Sequence, residues 1–133
     1  NLANKLKTAK DLMLVKNKIP FVNEDQTIKK TLKILNLKRQ GFVVLINKNK
    51  LTTGVFTDGD LKRLMQKKRN ISNLKIKNFM TKKPFMVDEN ILAAEALSLM
   101  NRKKITNACV YKKENKRKTV GVLHIHNILE NLK

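Results

Sequence analysis

Residue types capable of chemistry concentrate in Gly54-Val55-Phe56-Thr57-Asp58-Gly59-Asp60. An apolar stretch runs into this segment and an amphipathic one, Asp60-Leu61-Lys62-Arg63-Leu64-Met65, runs out of it, so a strand is expected to pass into a helix here. The first N–H groups of a helix lack intrahelical partners and carry the positive end of its dipole, which suits an anion such as phosphate. Thr57 adds a hydroxyl donor. An ionised Asp60 only accepts hydrogen bonds; it would repel phosphate, and its natural partners are the hydroxyls of a ribose or another sugar. The same residues have a purely structural use. Thr57 or Asp58 can cap the helix, and Asp60 can complement its dipole from the first turn.

Other reactive side chains are sparse. His124 and His126 stand two apart, which on a strand would put both rings on one face. With a third ligand they would hold a metal, but no Cys or acid cluster supplies one, and no metal site is assigned. Lining a loop or meeting a sugar acid's carboxylate is the competing role, because a His is partly charged near neutral pH. Cys109 falls in the middle of an expected strand and reads as a small buried hydrophobe. Lys82 and Lys83 precede an extended segment; they read as solvated surface, with reach to a phosphate as the alternative. No nucleophile–base pair is apparent and Asp58 with Asp60 makes no assigned acid–base pair, so catalysis is not expected of this chain.

The elements that would position these residues follow from periodicity. Ile19 to Val22 is a short extended piece around Pro20. A helix is expected from Thr27 to Arg39, with Ile28, Leu32 and Leu35 as its apolar stripe and Gly41 as its stop. Phe42–Ile46 and Leu51–Phe56 form a hairpin about Asn47-Lys48-Asn49-Lys50, and the helix from Asp60 to Gln66 closes the unit. The chain then repeats itself. Ala93, Leu97 and Met100 lie 65 residues after Ile28, Leu32 and Leu35, and Gly121 lies 67 after Gly54, the difference being a two-residue insertion in the hairpin loop at 112–118. Ile128 and Leu132 mirror Leu61 and Met65. The expected fold is α/β: two β-α-β-β-α repeats, 8–66 and 80–132, joined by a linker at 67–79 and packed around a pseudo-two-fold.

Composition sets the remaining bounds. The 133 residues suffice for one ordinary domain or two small halves. One cysteine permits no internal disulfide and fits a reducing, cytoplasmic compartment. The longest apolar run, Phe42–Ile46, is too short to span a bilayer, no signal-peptide pattern opens the chain, and its first residue is Asn, as in a fragment of a longer protein. The net charge of +20 invites a nucleic-acid reading. Against it, residues 1–66 hold 14 basic and 5 acidic residues and residues 67–133 hold 16 and 5, so the excess is diffuse. One Tyr, five Phe and no Trp leave little to stack on bases. A solvated Lys-rich surface accounts for the charge, and neither nucleic acid nor membrane is expected as a partner.

Gly54, Thr57 and Asp60 in a Gly-x-x-Thr-x-x-Asp motif, and Met80-Thr81-Lys82-Lys83-Pro84 as the opening of a repeat, resemble a tandem CBS-domain pair, or Bateman module, over residues 8–132. Ala93-Ala94-Glu95-Ala96-Leu97, Lys104-Ile105-Thr106 and Leu123-His124-Ile125-His126 are similar to the C-terminal CBS pair of bacterial D-arabinose 5-phosphate isomerases. That resemblance implies a regulatory module without catalytic residues or a required cofactor. It would follow an N-terminal sugar-isomerase domain acting at the head of the lipopolysaccharide sugar pathway, and form homodimers or higher oligomers. It also implies a ligand of the AMP or ATP type, or the nucleotide sugar CMP-Kdo. Thr57, Asp58, Asp60, Phe21 and Val22 would contact it, with His124 and His126 reaching in from the second repeat. The second repeat departs from the motif, with His124 at the Thr position and Asn127 at the Asp position. Alternatives are the CBS pair of a sugar nucleotidyltransferase, a basic nucleic-acid-binding module, and a ligand-free dimerisation module.

Overall fold

A computed structural model describes residues 2–132. In chain order the elements are α1 (Leu2–Lys5), α2 (Ala9–Leu12), β1 (Phe21–Asn23), α3 (Ile28–Lys38), β2 (Phe42–Ile46), β3 (Thr52–Thr57), α4 (Asp58–Lys67), β4 (Thr81–Lys82), β5 (Met86–Asp88), α5 (Ala93–Lys103), β6 (Asn107–Tyr111), β7 (Gly121–His124) and α6 (Ile125–Asn131), with 3-10 turns at Lys16–Lys18 and Ile76–Asn78. The expected α/β class and the doubled β-α-β-β-α order are both present.

The chain forms two compact units. One comprises residues 17–84; the other combines 2–16 with 85–132. In the first unit the sheet order is β1-β2-β3-β4, with β1 parallel to β2 and the other pairs antiparallel. Helix α3 forms because its stripe is apolar and both ends are satisfied. The Thr27 side chain accepts from Lys30 N at 3.2 Å, and Arg39 adopts a left-handed conformation with its N–H on Leu35 O. Arg39, not the expected Gly41, therefore ends the helix; Gly41 follows at φ +77 and accepts from Asp58 N, tying the hairpin base to α4. Thr31 is fully buried but satisfied, donating to Thr27 O at 2.9 Å. Ile28, Leu35, Val43, Leu45 and Phe56 make the core, with Leu32 packed against it.

Residues 67–79, expected as a linker, contribute to this same core. Ile76 is fully buried, and Leu74 accepts from Ile28 N at 2.8 Å. Beyond them lies β4, which the sequence reading did not anticipate. It pairs with β3 beside Gly54, where an added Cβ would stand 2.7 Å from Thr81 O and 2.8 Å from the Met80 sulfur. The motif glycine is required by this close approach.

The second unit repeats the design. Its sheet runs β5-β6-β7, with β5 parallel and β7 antiparallel to β6. Ala93 and Met100 are fully buried and Leu97 packs on the core, as do their counterparts in α3. Residues 2–16 play the part that 67–83 play in the first unit. Ala93 N donates to Lys7 O as Ile28 N does to Leu74 O. Leu14 bridges to Val122 where Thr81 pairs with Val55, and Met13 lies against Gly121 where Met80 lies against Gly54. Even the left-handed residues recur, Arg39 with Lys104 and Lys16 with Lys83. Helix α2 begins with a capping box in which Asp11 Oδ2 accepts from Thr8 N at 2.8 Å, holding the Asp11 carboxyl below its ordinary range. One correspondence breaks at the surface: Leu132 packs on its core, whereas Met65 is 63% exposed.

Candidate functional site

Strand β3 ends at Thr57, whose extended φ −107 and ψ 166 turn the chain into α4. The helix starts at Asp58, two residues before the expected position. Thr57 and Asp60 bind each other's backbone: Thr57 Oγ1 accepts from Asp60 N and Asp60 Oδ2 accepts from Thr57 N, both at 3.0 Å. This capping box satisfies two donors and gives both residues the structural role weighed for them. It does not exhaust them, since the Thr57 hydroxyl proton is still a donor and an ionised carboxylate has about four acceptor positions. Asp60 Oδ2 also accepts from Thr81 Oγ1 at 3.4 Å, and Oδ1 is 2.7 Å from Arg63 Nη2. With its side chain 18% exposed, Asp60 is held in a fixed orientation at the surface end of the junction. Asp58 is exposed on the same turn.

The other expected ligand residues separate. Asp60 borders a hollow of about 350 Å³ with Arg63, Leu64, Lys67, Lys68 and Phe79. Phe21 and Val22, on β1, instead line a hollow of about 390 Å³ with Lys30, Lys33 and Ile34. Val22 is buried in the core beneath that hollow, and Phe21 is half-buried. The second unit has the counterpart of this β1 hollow, about 470 Å³, where Met86 and Val87 stand for Phe21 and Val22.

His124 and His126 do not share a strand face. Strand β7 ends at His124 and α6 begins at Ile125, so His126 is helical. The two rings nevertheless meet, stacked with centroids 4.8 Å apart. His124 caps α6, its Nδ1 accepting from His126 N at 3.1 Å, which places its own proton on Nε2. Burial, with the neighbouring His126 second, holds the His124 pKa below its ordinary value. The ring expected to meet a carboxylate serves, at position 124, as a helix cap with its pKa held down. Among the described residues no group of three His, Cys, Asp or Glu stands together as a metal site. Cys109 is buried and its thiol is pushed up to about 12, chiefly by desolvation.

The sequence reading missed Arg63 and Thr81 as neighbours of Asp60. Arg63 carries a signal, the i,i+3 spacing from an acid on a helix; Thr81 is brought in by β4, which had no visible pattern of its own.

Comparison with known proteins agrees with the internal duplication. Residues 9–67 and 76–133 each match the family described as CBS domain. Arabinose 5-phosphate isomerase KdsD of Escherichia coli is 34% identical over 119 residues, covering 90% of this chain but 35% of the isomerase, so the chain spans about a third of that relative's length. Among solved structures, CBSX2 in complex with AMP superposes with a TM-score of 0.77 at 22% identity, covering 92% of this chain and 93% of that one. The CBS domain of the bacterial CNNM/CorC family Mg2+ transporter in complex with ATP superposes with a TM-score of 0.80 at 17% identity, covering 98% and 90%. At those identities the likeness is one of fold. The same strand registers, glycine approaches and helix ends appear twice in the chain, and each copy matches the same family: the chain belongs to the CBS-domain family and carries the domain as a tandem pair.

Proposed function

We propose that this pair is the regulatory, nucleotide-sensing module of a longer cytoplasmic enzyme, an arabinose 5-phosphate isomerase whose catalytic sugar-isomerase domain lies outside this chain. The observation that carries the sensing role is the Thr57–Asp60 junction. A hydroxyl donor and an oriented carboxylate stand at the start of a ten-residue helix in one repeat, and His124 and Asn127 replace them in the other. Thr57 donates to a phosphate or hydroxyl while Asp60 accepts from ribose or sugar hydroxyls. The ligand is an adenine nucleotide, as in the AMP and ATP complexes of the structural neighbours, or CMP-Kdo. Phe21 and Val22 belong to this site only if a ligand reaches both hollows of the first unit. Similarity to KdsD over most of this chain supports the isomerase parent. The module acts by population shift: a ligand that prefers one conformation biases the attached enzyme, and the protein works as a homodimer or larger homo-oligomer.

The test is a thermal-shift series with AMP, ATP, CMP and CMP-Kdo on wild type, Asp60→Ala and Asn127→Ala. A ligand bound only by the native state adds about 2.7 kcal/mol at a hundredfold excess over Kd. The expected result is a ligand shift lost in Asp60→Ala and kept in Asn127→Ala. The opposite pattern would move the site to the second repeat, and no shift at millimolar ligand would leave a structural module. The parent activity is tested separately, by assaying the full-length protein for interconversion of ribulose 5-phosphate and arabinose 5-phosphate.

A further inference from the structure

The Arg63 guanidinium reaches back along α4 onto the helix's first turn. Its Nη1 and Nη2 stand 3.3 and 3.4 Å from where a Cβ on Gly59 would be, and Thr57 Oγ1 stands 3.6 Å from the same point. Gly59 therefore leaves the space in which the guanidinium lies beside the Thr57–Asp60 motif. The pairing with Asp60 uses Nη2 of a planar group that carries five N–H donors. It also offsets the charge of Asp60, one of the two first-turn carboxylates that would repel an approaching anion. Further along, Lys67 in the last turn of α4 and Lys68 just past its end line the hollow of about 350 Å³ that Asp60 and Arg63 open, with Lys68 Nζ 5.5 Å above the Phe79 ring. Three cations thus face one acid.

The second repeat supplies an internal control. Shifted by 67 residues, Gly59, Asp60 and Arg63 become His126, Asn127 and Glu130. The cation at this place is reversed in sign there, so the general excess of lysine does not explain it.

We propose that Arg63, Lys67 and Lys68 form a wall for a phosphate chain, and that the first-repeat site therefore prefers nucleoside di- and triphosphates to monophosphates. A single phosphate at the helix start meets Arg63 alone; a longer chain continues to Lys67 and Lys68. The preference for nucleosides rests on the nucleotide reading above, whereas the wall itself does not.

Calorimetric titration of this chain with AMP, ADP, ATP and inorganic tripolyphosphate separates the two. ATP is expected to bind about tenfold more tightly than AMP, the scale of one added charge-assisted contact. The ratio should fall to near one in the Lys67→Ala/Lys68→Ala double variant, whereas Arg63→Ala should weaken AMP and ATP alike. The double variant alters exposed side chains only, so it should keep its fold and its AMP binding. An ATP-to-AMP ratio near one in the wild type, or one unchanged in the double variant, overturns the wall while leaving the nucleotide reading intact. Tripolyphosphate binding that requires Arg63, without binding of any nucleotide, upholds the wall and removes the nucleotide reading. Binding of neither removes both.

Discussion

Asp60 serves two purposes, and they can be separated by measurement. Its carboxylate closes the capping box of α4 and holds Arg63, so Asp60→Ala should cost about 1 kcal/mol before any ligand is added, the usual loss of a helix cap. Urea unfolding of the unliganded protein checks this, and it sets the baseline against which ligand shifts are read. His124 makes a second residue-level prediction. Its ordinary pKa is near 6.5 and the folded value is lower, so the unfolded chain binds the proton first as pH falls. The stabilisation is complete above the unfolded value and is lost as pH drops through 6.5 toward the folded pKa. Protonation also removes the Nδ1 lone pair that caps α6 and brings a charge against the stacked His126. The melting temperature should therefore fall between about pH 7 and pH 5, and His124→Asn, which retains an acceptor without titrating, should flatten that slope. Asp11 and Asp25, whose carboxyls are lowered by Thr8 and Lys77 respectively, lose their contribution only at more acid pH. Thr57 and Asp60 were legible from residue type and spacing alone. The cap made by His124 was not, because moving one residue from strand to helix changes which face its neighbours share.

At the scale of elements, the two motif glycines invite a direct comparison. A Cβ on Gly54 would meet the Thr81 carbonyl, which belongs to the β3–β4 ladder, as well as Met80; the three atoms nearest a Cβ on Gly121 all belong to the Met13 side chain. Backbone yields less readily than a flexible thioether. Gly54→Ala should therefore cost about 1–3 kcal/mol, the range for overpacking a close contact, and Gly121→Ala less. Equilibrium unfolding of the two variants checks the order. The hairpins and long helices could be read directly because their apolar residues recur at strand and helix periods over Phe42–Ile46, Ile28–Leu35 and Ala93–Met100. Helix α3 stops at Arg39 because a left-handed cap needs no glycine when the backbone hydrogen bond to Leu35 secures it, and such a cap has no compositional signal. The two-residue β4 is defined by what it pairs with rather than by its own pattern.

Across the whole molecule, the +20 charge is spread over both halves, so any association with duplex DNA or RNA should be weak. Filter binding should lose it almost entirely between about 50 and 200 mM salt, as release of condensed counterions requires; a selective complex that persists would overturn the regulatory reading. The division into units makes a sharper prediction. Ala9 is fully buried and Leu14 exchanges hydrogen bonds with Val122, all within the unit formed by 2–16 and 85–132. Deleting residues 1–16 should therefore strip hydrogen-exchange protection from 107–131 while 42–57, in the other unit, keep theirs. Periodicity revealed that the chain repeats itself, but not that its opening segment completes the later copy, because Ala9 and Leu14 form no pattern until Ile91 and Val122 lie beside them. That arrangement has a consequence for synthesis on the ribosome. Residues 17–84 are contiguous and can collapse as soon as they emerge, whereas residues 2–16 leave the exit tunnel before them and meet their partners in 85–132 only after them. At about 5–20 residues per second, they wait several seconds with Ala9, Leu12 and Met13 uncovered. Slow translation of the second half should prolong that exposure, and with it the time in which a nascent-chain chaperone can bind residues 2–16.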